Sequence, residues 1–151
     1  MGEPTLRTRS GGCACGRVRY TVRGDPTVVG ICHCTSCRKA TGSAFLAYAD
    51  WPLNAFQTTG NAETYQGRSF CPTCGSRLFH LNAERVEINI GSLDDAPTRL
   101  APREEGLIRR RKVWLLPVAG TEQQRYRELS PAARARSRWR PPKAEAKRLR
   151  P

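Results

Sequence analysis

Polar and apolar residues alternate along several short stretches of this chain, which is typical of β-strands that bury one face. Alternating or β-branched stretches occupy residues 17–23, 27–32, 44–49 and 85–90. Residues 56–65 have the composition of a hairpin that turns at Gly60 and Asn61. These patterns predict a mainly β fold over the first 90 residues.

Helical patterns are few and short. Residues 38–41 fit one helical turn that Gly42 would end, because glycine is favoured just past a helix C-terminus. Residues 121–130 fit a second short helix, residues 50–53 fit a turn, and the last apolar run, residues 113–118, is expected to close the fold. With 151 residues and an apolar fraction of 38%, the chain is expected to form one domain with a modest core, followed by a tail.

Seven cysteines carry the main chemical signal. They form three groups: Cys13 with Cys15, Cys32 with Cys34 and Cys37, and Cys71 with Cys74. A structural zinc site is closed by four protein ligands, whereas a catalytic zinc site usually has three and leaves the fourth position for water or substrate. Four plus three therefore predicts one closed site, one open site, and chemistry at a second metal.

Disulfides are the alternative use of these cysteines. They would be expected in an exported protein, but residues 1–12 lack the apolar core of a secretory signal. Seven is an odd number, which would leave one thiol unpaired. No run is long and apolar enough to cross a membrane. We therefore expect metal-bound thiolates in a cytoplasmic protein.

Alternation along an extended chain predicts how the first two groups present their sulfurs. Cys13 and Cys15 would point the same way, and so would Cys32 and Cys34, while Cys37 follows where the chain turns. Three ligands within six residues can form one cap over a metal. Spacing alone leaves open which of the other cysteines complete the closed site.

The third group and the two histidines complete the candidate ligands. Residues 71–75, Cys-Pro-Thr-Cys-Gly, have the sequence of a zinc-knuckle turn, in which glycine after the second ligand can take a positive φ. His33 would point away from the middle group if that segment is extended. His80 is a remote candidate for a fourth ligand, and it would make the second site structural if it filled that position.

Charge around the middle group favours a thiol as the fourth ligand. Three thiolates leave a Zn²⁺ centre with a net negative charge, so such a zinc is a weak Lewis acid, and a soft thiol from outside suits it. A coordinated thiol is held deprotonated. Arg38 and Lys39, directly after Cys37, would either contact a carboxylate of such a substrate or be ordinary exposed bases.

The net charge of +13 is concentrated toward the C-terminus. Residues 131–151 contain eight basic residues and a single acidic one, Glu145, and they are rich in arginine, alanine and proline. This composition predicts a disordered basic extension. It is either a solvated tail or a transient contact for nucleic acid or an acidic surface.

Together, the cysteine motifs resemble the glutathione-dependent formaldehyde-activating enzyme family, which also includes centromere protein V. The resemblance is carried by G-x-C-x-C-G-x-V at residues 11–18, C-H-C-x-x-C-R-K-x-x-G-S at residues 32–43, F-C-P-x-C-G-S-x-L at residues 70–78, and I-G-S-L-D-D at residues 90–95. It covers residues 5–128 as one zinc domain and leaves the basic tail, residues 131–151, outside.

The resemblance implies a mainly β, Mss4-like, zinc-stabilised fold with few short helices and two zinc ions. It assigns a structural zinc to one set of ligands, Cys13, Cys15, Cys71 and Cys74, and a catalytic-type zinc to the other, Cys32, Cys34 and Cys37. The implied reaction condenses formaldehyde with glutathione to S-hydroxymethylglutathione, and it is classed as a carbon–sulfur lyase in the reverse sense. The chain departs from the family at residues 105–108, Glu-Gly-Leu-Ile, where the family commonly has an aromatic residue.

Three classes of function follow from these observations. The first is an enzyme that joins a small aldehyde to glutathione or a similar thiol held at Cys32, Cys34 and Cys37. The second is a zinc-stabilised nucleic-acid or chromatin-binding module that uses the basic tail, with the basic residues 109–112 as a further contact. The third is a purely structural or metal-handling zinc protein. The vacant ligand position favours the enzyme.

Overall fold

A computed structural model describes residues 7–125 of the chain. Within this range there are eleven strands, one α-helix and three 3₁₀ segments. The strands are β1 (Thr8–Gly12), β2 (Arg19–Arg23), β3 (Val28–Cys32), β4 (Leu46–Pro52), β5 (Phe56–Thr59), β6 (Glu63–Tyr65), β7 (Arg68–Phe70), β8 (Arg77–Leu81), β9 (Arg85–Asn89), β10 (Glu104–Gly106) and β11 (Glu122–Gln124). The helix α1 spans Thr35–Thr41, and the 3₁₀ segments are Leu53–Ala55, Ile90–Ser92 and Ile108–Arg110.

The strands form two sheets. The smaller has the order β1-β2-β5, and the larger has the order β11-β10-β3-β4-β9-β8-β7-β6. Strand β10 pairs in parallel with both β3 and β11, whereas the other pairings are antiparallel. The register places Gly106 of β10 opposite Cys32 at the end of β3, so this late strand lies directly beside the middle cysteine group.

The main core contains residues from both sheets. Strand β2 contributes the buried Tyr20 and Val22, and its other residues face outward, as the alternation requires. The aromatic rings of Tyr20, Phe56 and Phe79 contact one another. The centroid of the Phe79 ring is 5.9 Å from that of Tyr20 and 4.9 Å from that of Phe56. Such aromatic contacts add about 0.5–1.5 kcal/mol each beyond the area they bury. Trp51 is fully buried in the same cluster.

The mainly β fold is confirmed, and so are four of its strands. Strands β2, β3 and β9 lie where alternation or β-branched residues predicted them. Strand β4 begins within the predicted segment 44–49 and continues to Pro52. The helical turn after Cys37 is also confirmed, although α1 begins earlier, at Thr35. Gly42 ends it in the left-handed region with φ 65°, which glycine adopts without the steric cost of a side chain.

Two predictions on the middle of the chain are wrong. Residues 50–52 continue β4 rather than forming a turn, because Asp50 and Trp51 pair with β9 and have buried side chains. Residues 56–65 do not form a hairpin, because β5 pairs with β2 in the smaller sheet and β6 pairs with β7 in the larger one. The chain changes sheets at Gly60, whose φ is 83°.

The predictions for the C-terminal part are also wrong where the structure describes it. The run at residues 113–118 does not close the core, since Val113, Trp114 and Leu116 are largely exposed. Residues 122–124 form β11 rather than helix. The basic tail, residues 131–151, lies outside the described residues, and the domain limits 5–128 stay a prediction. Within residues 7–125 no helix has the length and apolar character needed to span a membrane.

Candidate metal centres

Four cysteine sulfurs converge at one end of the fold. The Sγ atoms of Cys13, Cys15, Cys71 and Cys74 all lie within 4.8 Å of one another. Those of Cys13 and Cys15 are 3.5 Å apart, and those of Cys15 and Cys71 are 3.7 Å apart. A tetrahedral zinc with Zn–S bonds of about 2.3 Å separates its sulfurs by about 3.8 Å. The donor set and its spacing therefore fit a zinc ion, and we call this group the four-cysteine cluster.

The first half of the four-cysteine cluster is a turn and not the extended segment that alternation predicted. After β1, Cys13 N–H donates to Val18 O at 3.0 Å and Gly16 N–H donates to Cys13 O at 3.0 Å. This turn brings the two sulfurs of Cys13 and Cys15 together by a different route. It also lets Val18 N–H donate to Cys13 Sγ at 3.2 Å, which lowers the pKa of that thiol.

The second half is the predicted knuckle. Gly75 N–H donates to Cys71 O at 2.8 Å, and Gly75 takes a φ of 75°. The Ser76 hydroxyl lies 3.3 Å from Cys74 Sγ and lowers the pKa of Cys74 to about 5. The same hydroxyl accepts a hydrogen bond from Ala14 N–H at 3.1 Å, so Ser76 joins the two halves. These contacts favour thiolates, which are the form that binds metal.

Three sulfurs converge in a second group where β3 meets α1. The Sγ atoms of Cys32, Cys34 and Cys37 lie within 4.8 Å of one another, and within residues 7–125 no other histidine, cysteine or carboxylate belongs to this group. Cys32 is the last residue of β3, Cys34 caps the helix in an extended conformation, and Cys37 lies in its first turn. We call this group the three-cysteine cluster. The structure therefore confirms the prediction that these three sulfurs converge.

The three-cysteine cluster favours a thiolate at its centre. Cys37 N–H donates to Cys34 Sγ at 3.1 Å. Hydrogen bonds from the Cys32 and Cys37 thiols lower the pKa of Cys34 to about 2, whereas the contact with Cys34 raises the pKa of Cys32 to about 11. The surroundings of the cluster therefore favour a thiolate at Cys34. An all-sulfur set of this kind suits a soft or borderline cation such as Zn²⁺.

His33 lies on the other side of this turn, as alternation predicted. It is 2% exposed, and its Nε2 is 3.6 Å from Oε2 of Glu105, which is 1% exposed. Burial lowers the pKa of His33, so the neutral ring is favoured. Glu105 is held by Arg111, whose Nη1 donates to Oε2 at 2.8 Å, and by Val118 N–H, which donates to Oε1 at 2.8 Å. The ion pair between Glu105 and Arg111 therefore lies directly beside the turn that carries the three-cysteine cluster.

The other residues that the sequence suggested for binding do not join the three-cysteine cluster as ligands. Arg38 Nε donates to His33 O at 3.2 Å, so this side chain holds the turn together. Lys39 is exposed on α1. His80 lies on β8 and is not among the atoms of the three-cysteine cluster. In the basic residues 109–112, Arg110 donates to the Thr35 hydroxyl and Arg111 pairs with Glu105, so these two side chains hold the fold together.

A cavity of about 550 Å³ lies beside the four-cysteine cluster and reaches Thr41 at the C-terminal end of α1. One wall includes Cys13 and Ser76 beside the four-cysteine cluster. Another includes Thr41, Ser43 and Leu46, and Leu46 packs against Cys32. This volume is within the range of small-molecule sites, about 300–1,000 Å³. The cavity can therefore accept a small substrate, and it reaches the helix that carries Cys37 and the strand that packs against Cys32.

Sequence reasoning missed two charged residues near this space. Glu105 was seen only as part of a departure from a family pattern, and its burial follows from the parallel pairing of β10 with β3, which has no local signature. Arg77 lines the cavity but occupies an unspecified position of the knuckle motif. For Arg77 the available signal was a charged side chain directly before the apolar Leu78 and Phe79, whereas the residues around Glu105 gave no such signal.

Comparison with known proteins places these clusters in context. The model of the family described as "Glutathione-dependent formaldehyde-activating enzyme" matches residues 8–110, which include all seven cysteines. A crystal structure of a Rhodobacter sphaeroides protein is similar at 25% sequence identity, with a TM-score of 0.46, over 58% of this chain and 89% of that chain.

Proposed function

Because the chain belongs to the glutathione-dependent formaldehyde-activating enzyme family, we propose that it is a zinc enzyme acting on a thiol and a small aldehyde. The thiol is glutathione or a related molecule, and the aldehyde is formaldehyde or similar in size. In the direction of cleavage, the enzyme is a carbon–sulfur lyase. One observation carries the proposal: three thiols converge without a fourth protein ligand among residues 7–125. A cavity of about 550 Å³ reaches Thr41, at the end of the helix that carries Cys37.

The two clusters have different roles in this proposal. Cys13, Cys15, Cys71 and Cys74 hold a structural zinc, and the three-cysteine cluster holds a second zinc with one open position. When bound there, zinc supplies a site for a soft thiol and stabilises its deprotonated form. The residues 5–128 form the catalytic domain, and residues 131–151 are an appended basic segment.

The chain's own residues position the reaction. In the proposed reaction the substrate thiol, at the open side of the three-cysteine cluster, gives up its proton and its sulfur bonds to the aldehyde carbon. The carbonyl π bond breaks, and the carbonyl oxygen gains the proton that the thiol released. Ser43 lines the cavity and is our candidate for relaying that proton. Thr41 is less suitable because its hydroxyl already donates to Cys37 O at 2.9 Å, and His33 faces Glu105 instead.

A calorimetric titration of glutathione into protein that carries two zinc ions tests this function. We expect saturable binding that S-methylglutathione does not reproduce, because methylation removes the thiol. The matched variant is Cys34→Ser, which we expect to bind no glutathione while keeping the zinc of the four-cysteine cluster. Absence of glutathione binding to the two-zinc protein would contradict the proposal and favour the nucleic-acid alternative, which predicts binding that weakens with salt and is lost without residues 131–151.

A further inference from the structure

The cavity wall carries an arginine, Arg77, that has no role in the proposed reaction. Arg77, the first residue of β8, lines the cavity, and its side chain is partly buried. Its Nε is buried and has no hydrogen-bond partner in the part of the chain that the structure describes. Burial lowers the pKa of Arg77, although the guanidinium stays charged at neutral pH. A buried donor without an acceptor destabilises the free protein unless a ligand supplies the acceptor.

The charges around Arg77 point toward an anion. Arg68 of β7 is close enough to repel the Arg77 guanidinium. The Nη2 of Arg68 donates to the Oγ of Ser36 at 2.6 Å, and Ser36 is the residue before Cys37. Glu87 and, to a smaller extent, Cys37 act in the opposite sense and favour the charged form of Arg77. Arg77 therefore lies within electrostatic range of the three-cysteine cluster. Arg19, the other arginine on the cavity wall, is already paired with Asp94.

A guanidinium near the three-cysteine cluster would favour the binding of glutathione. The molecule carries two carboxylates, and three thiolates around a divalent ion leave a net negative charge that repels them. A guanidinium near the cluster offsets this repulsion and can hold a carboxylate through two parallel hydrogen bonds. Arg38 is less suited to that role, because its Nε is committed to His33 O, and Lys39 is exposed on the helix.

We propose that Arg77 is the carboxylate receptor of the cavity and that it fixes the orientation of the thiol substrate whose sulfur lies at the three-cysteine cluster. This inference rests on the proposed function. Arg68, held by Ser36, contributes a second positive charge near Arg77. Substrate choice then depends on a carboxylate as well as on a thiol, so carboxylate-free thiols are weaker ligands.

The test compares two thiols and three variants. Glutathione supplies thiol and carboxylates, whereas 2-mercaptoethanol supplies only the thiol. Dissociation constants are measured by calorimetry for wild type, Arg77→Gln, Arg77→Lys and the control Lys39→Gln, each with its zinc content determined. We expect Arg77→Gln to weaken glutathione binding about tenfold or more, as for loss of a charge-assisted hydrogen bond. Binding of 2-mercaptoethanol should not change, Arg77→Lys should recover part of the glutathione affinity, and Lys39→Gln should behave as wild type.

The possible failures are distinguishable. If wild type binds glutathione and Arg77→Gln binds it equally well, the receptor is overturned and the proposed function stands. If Arg77→Gln weakens both thiols equally or loses zinc, Arg77 has a structural role and the receptor is again overturned. If two-zinc wild type binds neither thiol, both the receptor and the proposed function are overturned.

Discussion

The two cysteine clusters offer the same kind of ligand atom, a cysteine sulfur, but they differ in which parts of the chain supply it. The four-cysteine cluster joins two turns that are far apart in sequence, residues 13–18 and 71–76, and its two most buried members belong to the main core. The three-cysteine cluster is formed by six consecutive residues at a strand–helix junction, and it packs against the small separate group of Leu46 and Tyr48. A metal in the first cluster would crosslink distant parts of the fold, whereas a metal in the second would be held by local structure.

This difference explains why one cluster can keep an open position. Crosslinking distant segments stabilises a fold because it restricts the unfolded chain, and four ligands close the coordination shell. The three-cysteine cluster already has its own support, since Arg38 holds the His33 carbonyl and Glu105 anchors the adjoining strand. Its geometry therefore does not require a fourth protein ligand.

The largest effect is expected from Cys71→Ser. Cys71 is fully buried in the main core, and a structural zinc contributes about 10–16 kcal/mol to the folding of zinc-finger peptides. This equals or exceeds the whole stability of a typical domain, about 5–15 kcal/mol. We expect the variant to lose its cooperative thermal transition by circular dichroism. A transition unchanged from wild type would show that the four-cysteine cluster does not crosslink the fold.

A smaller loss is expected from Glu105→Ala. The change leaves Arg111 and Val118 N–H without their buried acceptor, and breaking a buried charge pair from one side costs about 3–5 kcal/mol. Urea unfolding measures the loss, with the exposed Glu122→Ala as the control. A difference between these variants of less than about 1 kcal/mol would mean that Glu105 does not support the three-cysteine cluster.

Replacing Cys34 by two different residues separates its roles as metal ligand and helix cap. Both Cys34→Ser and Cys34→Ala remove the thiol, but serine keeps an acceptor for the Cys37 N–H. Losing an N-cap costs about 0.5–2 kcal/mol. We expect Cys34→Ala to unfold at lower urea concentration than Cys34→Ser, with a difference in unfolding free energy of about 1 kcal/mol. Equal stabilities would show that the cap contributes nothing.

The smallest effect is expected from Trp114→Ala. Trp114 is 68% exposed, and substitutions on an exposed surface usually change stability by less than about 0.5 kcal/mol. Leu78→Ala, at a fully buried position of the main core, should cost about 2–5 kcal/mol in the same urea experiment. A large loss for Trp114→Ala would restore the expectation that residues 113–118 close the core.

The sequence predicted what local chemistry determines. Strands β2 and β9 have an alternating pattern that follows from burying one face, and Gly42 and Gly75 have the positive φ that their motifs require. The three converging sulfurs of the three-cysteine cluster follow from alternation before Cys34 and a helical turn after it.

Non-local pairing explains most of what the sequence did not predict. Strands β5 and β6 are near neighbours along the chain but join different sheets, and β10 pairs in parallel with β3, a strand far earlier in the chain. The burial of Glu105 depends on the pairing of β10 with β3, and the cavity position of Arg77 depends on the pairing of β8 with β7. The exposure of Trp114 shows that an apolar run is not by itself a core segment.

Stepwise removal of zinc by a chelator tests the different roles of the two clusters most directly. Zinc content, thermal unfolding and glutathione binding are measured at each step, and Cys34→Ser identifies which site has lost its ion. We predict that the first zinc leaves the three-cysteine cluster, abolishing glutathione binding while the thermal transition persists, and that loss of the second zinc unfolds the protein. Unfolding on release of the first zinc, or glutathione binding that survives its release, would contradict the account.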